Sequence, residues 1–168
     1  GRVKTLILES ASPGLRMEQE RNVRKEADDA LANKIQLYGV TSFLDTWENI
    51  PLFASQKQLP QHVQQAIREE RLQQHEQGLA NSLRGMGTGV MPPMWGQLHT
   101  LSLPVILITG ALDKKFVDIA REMTAFTQKV RHLIVNDVGH AIHVENPAEF
   151  ATIVKETISL NPNRGTIQ

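Results

Sequence analysis

Pro104-Val105-Ile106-Leu107-Ile108-Thr109-Gly110-Ala111-Leu112-Asp113 and Arg131-His132-Leu133-Ile134-Val135-Asn136-Asp137-Val138-Gly139-His140 share one pattern: a short apolar run, then a turn ending on a reactive side chain. The apolar runs are continuous rather than alternating, which suits strands buried on both faces of a parallel sheet. Val3 to Glu9 is a third run of the same character. Between the first two of these runs lies Lys115 to Val130, where Phe116, Ile119, Ala120, Met123 and Phe126 recur at helical spacing. Pro147 to Leu160 repeats the pattern with Phe150, Ile153, Val154 and Thr157, and Pro147 suits a first helical turn. Strand, helix, strand, helix is the order of a parallel α/β sheet. Three strands are too few for a complete doubly wound domain.

Residues 16 to 98 differ, being rich in Gln, Glu, Arg and Ala with few β-branched side chains. Helices are expected over Met17 to Leu37 and Pro60 to Leu83, with Trp47 and Phe53 in a shorter segment between them. Gly85-Met86-Gly87-Thr88-Gly89 breaks the helical pattern and Pro92-Pro93 marks a loop. The stretch therefore reads as a helical insertion between two sheet strands.

Composition narrows the function classes. Of 168 residues, 40% are hydrophobic and 21% charged, enough for a packed core. Eighteen basic residues balance eighteen acidic ones, which argues against a general nucleic-acid binder or a polybasic membrane-surface protein. With no cysteine, disulfides, thiolate metal sites and thiol catalysis are excluded. The apolar runs are too short to cross a bilayer, and Gly1-Arg2-Val3-Lys4 does not resemble a secretory leader, so a cytoplasmic protein is expected. The opening, a strand with no Met before it, reads as a piece of a longer chain.

Ligands of open α/β sheets gather beyond the carboxyl ends of the strands, where Asp113 and His140 both fall. A carboxylate bonded to one imidazole nitrogen fixes the tautomer and stabilises the imidazolium formed when the other nitrogen takes a proton. Each residue also has a plainer role: Asp113 as the N-cap of the following helix, His140 as a hydrogen-bonded loop histidine. A metal site at His140, His143 and Glu145 is disfavoured, because the spacing matches no H-E-x-x-H pair. Glu145 is expected to bond a backbone amide or a neighbouring loop.

Gly110-Ala111-Leu112-Asp113-Lys114-Lys115-Phe116 with Gly139-His140-Ala141-Ile142-His143-Val144-Glu145-Asn146-Pro147 resembles the end of an α/β-hydrolase, with Asp113 as triad acid and His140 as triad histidine. Leu8-Glu9-Ser10-Ala11-Ser12-Pro13-Gly14-Leu15 resembles the strand leading into the helical cap of that superfamily. Together these motifs resemble the 2-succinyl-6-hydroxy-2,4-cyclohexadiene-1-carboxylate synthase family of menaquinone biosynthesis, over nearly the whole chain. The resemblance implies the carboxyl-terminal part of an α/β-hydrolase fold, late parallel strands with flanking helices plus a cap. Residues 1–15 would give a core strand, 16–98 the cap and 99–168 the core carrying Asp113 and His140. The implied activity is a lyase eliminating pyruvate from 2-succinyl-5-enolpyruvoyl-6-hydroxy-3-cyclohexene-1-carboxylate, with no cofactor and no metal.

A polycarboxylate substrate needs cationic hosts, and a guanidinium grips carboxylate in two parallel bonds. By the resemblance, Arg24 and Trp47 are substrate-binding positions, Arg21 lies one turn before Arg24, Arg71 is the second cap arginine with Arg68 as its alternative, and Phe116 belongs to the site. Each arginine could instead lie on a solvated helix face, and Trp47 could be cap core. The G-x-S-x-G elbow that carries the superfamily's nucleophile does not occur in the 168 residues. The chain is therefore expected to be inactive unless an amino-terminal half comes from another chain. An ester or carbon–carbon hydrolase on the same fold, and a non-catalytic cap that binds a partner protein, are the alternatives.

Overall fold

The computed structural model describes residues 2–159. Gly1 and Leu160, the expected end of the last helix, lie outside the described residues. The chain divides into two compact units, one made of residues up to Ser12 with those from Gln97 onward, the other Pro13–Gly96.

The first unit is a three-stranded parallel sheet of β1 (Leu6–Glu9), β2 (Val105–Gly110) and β3 (Val130–Val135), in that spatial order. Every residue of β2 is buried, as its unbroken apolar run requires of a central strand. Ile106 and Ile108 cluster with Val135, Val138 and Ile142, against which Ile7, Leu133, Phe150 and Ile153 pack. Each such aliphatic side chain stabilises the fold by about 1.5–3 kcal/mol. The helix α4 (Lys114–Thr124) buries Val117, Ala120 and Met123, three positions of one helical face. Short α5 (Ile142–Glu145) and α6 (Pro147–Ser159) follow β3.

Two expected boundaries move here. The first strand starts at Leu6 rather than Val3. The helix after Asp113 stops at Thr124 rather than Val130, because Thr127 Oγ1 accepts the Lys129 N–H and turns the chain into β3.

In the second unit α1 (Glu18–Trp47) begins where Glu20 reaches back to the Met17 N–H at 3.2 Å. It runs past the expected end at Leu37, with a break at Gly39, whose φ of +80° favours glycine. Trp47 thus closes this helix instead of lying in a separate segment. A 3-10 turn over Pro51–Gln58 leads to α2 (Gln61–Leu72) and α3 (Glu76–Met86). The single helix expected over Pro60 to Leu83 is two, because His75 caps the second through its Nδ1, which accepts the Gln77 N–H.

The helix α3 continues through Gly85 to Met86, and the break comes at Gly87. A side chain at Gly87 or Gly89 would come within 3.0 Å of Asp28 or Lys25 of α1, so the loop there packs backbone against helix. The apolar seam of this unit joins Ala32, Ile35, Val40 and Leu44 of α1 to α3, whose Ala80 is fully buried. Trp95 closes the unit, donating its indole N–H to the Gly14 carbonyl at 2.8 Å with the Arg16 guanidinium 3.7 Å from the ring centroid. No helix among the described residues is long and apolar enough to cross a membrane.

Candidate active site

Parallel pairing brings the ends of the strands level: Glu9 stands opposite Ile108, and Gly110 opposite Val135. The turns after β2 and β3 are then tied together by backbone bonds, Ala111 N–H to Val135 O at 2.8 Å and Leu112 N–H to Val138 O at 3.0 Å. So close an approach requires glycine at 110, since a Cβ there would lie under 3.0 Å from the backbone of Val138 and Gly139.

Asp113 and His140 meet across this joint. Asp113 is buried and its two oxygens are both engaged: Oδ2 lies 2.6 Å from His140 Nδ1, and Oδ1 accepts the Phe116 N–H at 3.3 Å. The two roles weighed for Asp113, helix N-cap and partner of His140, are therefore held by one carboxylate. An anionic acceptor at Nδ1 keeps the proton on that nitrogen and makes Nε2 the basic one. Phe116 sits edge-on to the imidazole, ring centroids 4.6 Å apart, and limits how the ring can tilt.

The remaining histidine and carboxylate of the motif go elsewhere. Glu145 Oε2 accepts the Gly139 N–H at 2.7 Å, a backbone amide as expected from sequence. His143 turns to Glu9, its N–H at 2.9 Å from Oε1 and its Nδ1 at 2.7 Å from Oε2. Ser10, whose φ of 41° bends the chain at the end of β1, donates its hydroxyl to the His140 carbonyl at 2.7 Å. Neither Glu9 nor Ser10 drew attention in the sequence as a supporting group. A charged residue ending an otherwise apolar strand was the available signal.

The cap positions fall into separate neighbourhoods of the second unit. Arg24 Nε is bonded to the buried Asp28 at 2.8 Å, and Arg21 turns back to the carbonyls of Leu15 and Arg16 at 3.0 and 2.7 Å. Arg71 is half-buried, donating to Gln56 Oε1 at 2.9 Å and, more weakly, to Glu48 at 3.4 Å, with its guanidinium 5.2 Å from the Phe53 ring centroid. Arg68 binds both Asp45 and Glu48, and those hydrogen bonds, that to Asp45 first, raise its pKa further above the ordinary arginine value.

Arg71 borders two cavities. One of about 500 Å3 is lined also by Phe53, Gln56, Lys57 and Arg68; the other, about 220 Å3, by Phe43, Trp47, Leu79 and Leu83. Trp47 and Arg71 thus share a wall, whereas neither Arg21 nor Arg24 lines either cavity. Gln56, buried and bonded to Arg71, was not anticipated from the sequence.

Comparison with solved structures places this arrangement. Over 96% of its length the chain superposes on the structure of MenH from S. aureus with a TM-score of 0.93 and 37% identity, covering 60% of that chain. The chain carries part of an α/β-hydrolase fold. A thermophilic esterase from Thermogutta terrifontis shares the fold alone, with a TM-score of 0.73 at 21% identity, covering 92% of this chain and 55% of that one.

Among curated proteins, the chain is 43% identical over 158 residues to a Bacillus subtilis (strain 168) protein named "Putative 2-succinyl-6-hydroxy-2,4-cyclohexadiene-1-carboxylate synthase", covering 94% of this chain and 58% of that protein. It is 32% identical over 155 residues to the 2-succinyl-6-hydroxy-2,4-cyclohexadiene-1-carboxylate synthase of Photorhabdus laumondii, covering 92% of this chain and 53% of that protein. The chain thus spans little more than half the length of these relatives. No family model matches it.

Proposed function

We propose that this α/β-hydrolase chain serves a carbon–oxygen lyase of menaquinone biosynthesis, a 2-succinyl-6-hydroxy-2,4-cyclohexadiene-1-carboxylate synthase. The observation that carries the proposal is the buried Asp113 carboxylate 2.6 Å from His140 Nδ1, within a chain 43% identical to a protein of that name. A proton leaves the ring of the enolpyruvoyl substrate, its electron pair forms the second ring double bond, and the carbon–oxygen bond to the enolpyruvoyl group breaks. The leaving group is the enolate of pyruvate, which becomes pyruvate on taking up a proton on carbon.

In this scheme His140 Nε2 receives the proton through a hydroxyl that acts as base, and Asp113 stabilises the imidazolium. The 168 residues contain no G-x-S-x-G elbow, so the proposal assigns that hydroxyl to a part of the enzyme outside this chain, carried by an amino-terminal half. Arg71 and Trp47 are proposed to receive a substrate carboxylate and the ring beside it, which is supported by the cavity they share. Phe116 is proposed to bound the reacting centre, given its contact with His140. For Arg24 and Arg21 the bonds to Asp28 and to backbone carbonyls support a scaffold role, and substrate contact there requires those bonds to open. A substrate with several carboxylates does not cross a bilayer unaided, which supports a cytoplasmic location.

The test is pyruvate release from 2-succinyl-5-enolpyruvoyl-6-hydroxy-3-cyclohexene-1-carboxylate by the protein that carries this chain together with its hydroxyl-bearing part. Activity that falls by about 10²- to 10⁴-fold in His140→Ala supports the proposal. Hydrolysis of simple esters with no pyruvate formed would sink it in favour of a hydrolase.

A further inference from the structure

Glu9, Ser10, His143 and Glu145 take no part in the scheme above, yet all four hold the segment on which His140 sits. That segment joins β3 to α5, and α5 has only four residues, too few for its own hydrogen bonds to fix it. Its support comes from side chains. Glu145 takes the N–H of Gly139, the residue before His140, at 2.7 Å, and the Ser10 hydroxyl binds the carbonyl of His140 itself at 2.7 Å. Glu9 commits both oxygens to one residue, taking the His143 amide at 2.9 Å and the imidazole Nδ1 at 2.7 Å. Glu9 and Ser10 are 134 and 130 positions away from their partners and reach them only because β1 pairs in parallel with β2.

The chemistry of Glu9 sets it apart. Its side chain is 19% exposed, while that of His143 is 56% exposed, so the carboxylate is largely withdrawn from water to hold a residue that lies mostly in it. A carboxylate at the end of a hydrophobic strand loses hydration, and two hydrogen bonds to one residue offset that loss. The three bonded sites, at 139, 140 and 143, bracket His140 on both sides. With the backbone so held, the ring keeps only its two side-chain torsions, and the contact with Phe116 limits them.

We propose that Glu9 is a positioning residue for His140: through its two bonds to His143, seconded by Ser10 and Glu145, it sets the distance between His140 Nδ1 and Asp113. Displacing a reacting group by about 1 Å can cost about 100-fold in rate, so a loosened loop is felt at His140 without any change to the residues that meet substrate. The role goes beyond the proposed reaction, since the bond it protects is internal to this chain. Only the kinetic arm of the test rests on the proposed activity.

The test compares Glu9→Ala with Glu9→Gln in the intact protein. The first readout is the downfield proton resonance of His140 Nδ1–H, assigned by its loss in Asp113→Asn. The second is the separate measurement of kcat and KM for pyruvate release. Glu9→Ala is expected to broaden or lose the resonance and to lower kcat about tenfold with KM within about twofold. Glu9→Gln, whose amide oxygen still accepts the His143 N–H, is expected to restore most of both.

A folded Glu9→Ala protein with an unchanged resonance and kcat overturns the proposal, even with a lowered Tm, and so does an effect confined to KM. If Glu9→Ala does not fold, His143→Ala removes only the imidazole half of the contact. It should show a weaker form of the same change, and an unchanged resonance and kcat in a folded His143→Ala protein overturns the role. A resonance that depends on Glu9 in a protein with no pyruvate-forming activity supports the positioning role while removing the proposed reaction.

Discussion

Carboxylates meet cations or imidazoles in both units, but in surroundings that give the contacts different meaning. In the sheet unit Asp113 is 8% exposed, flanked by a fully buried strand, and both its oxygens are fixed. In the cap unit Asp45, Glu48, Arg68 and Arg71 form a network along α1 and α2, and α2 buries no residue at all. Coulomb attraction grows as water is excluded, so the first arrangement can hold one tautomer and one ring position, while the second is screened and adaptable. The lesson is that geometry for proton transfer belongs to the packed sheet ends, whereas polar groups able to exchange partners belong to the cap.

Replacing core side chains should expose that contrast most strongly. Ile108→Ala removes a fully buried side chain from the cluster beneath the His140 loop and is expected to cost about 2–5 kcal/mol, read as a lower midpoint in chemical denaturation. A cost under about 1 kcal/mol would mean that the sheet ends are not the rigid part. Gly110→Ala comes next, because a methyl there meets backbone that has no rotamer to give way. An expected loss of about 1–3 kcal/mol should come with loss of the His140 Nδ1–H resonance, since the turns carrying Asp113 and His140 are forced apart.

How much of this was readable in sequence follows the same division. The three apolar runs fall on the three strands, but burial on both faces holds only for the central β2, since β1 is half-buried and β3 exposes Arg131 and Ile134 with no strand beyond it among the described residues. Asp113 and His140 follow from strand ends and turn residues alone. The cap was less legible. A helix of Gln, Glu and Arg has weak periodicity, so neither the continuation past Gly39 nor the split at Gln73–His75 could be seen. Which partner an arginine takes depends on tertiary neighbours: Arg24 on Asp28 one turn away is a local pairing, but Arg71 on Gln56 needs the chain to fold back. Glu9 and His143 were hidden by their separation of 134 positions.

In the cap, Arg68→Ala removes two ion-pair contacts from a partly exposed side chain and is expected to lower the midpoint of chemical denaturation only slightly, by an amount that declines as salt is added. A fall in the midpoint as large as that of Ile108→Ala would place that network among the rigid parts of the molecule and erase the contrast.

The finest probe is His132, which returns to the sheet. Its Nε2 lies 2.7 Å from the hydroxyl of buried Thr109, and burial first, then the nearby positive charge of Arg121, hold its pKa below the usual 6.5. The imidazole is thus neutral in the fold at a pH where the unfolded chain already binds a proton. Between the usual value and the lowered one the unfolded state takes up more protons, so stability is full above pH about 6.5 and falls as pH drops. His132→Asn should reduce the drop in Tm between about pH 7.5 and pH 5 relative to the parent, with little change at the upper end. Equal slopes for both proteins would show that protonation at this strand is tolerated, and that the sheet face around Thr109 is wetter than its burial implies.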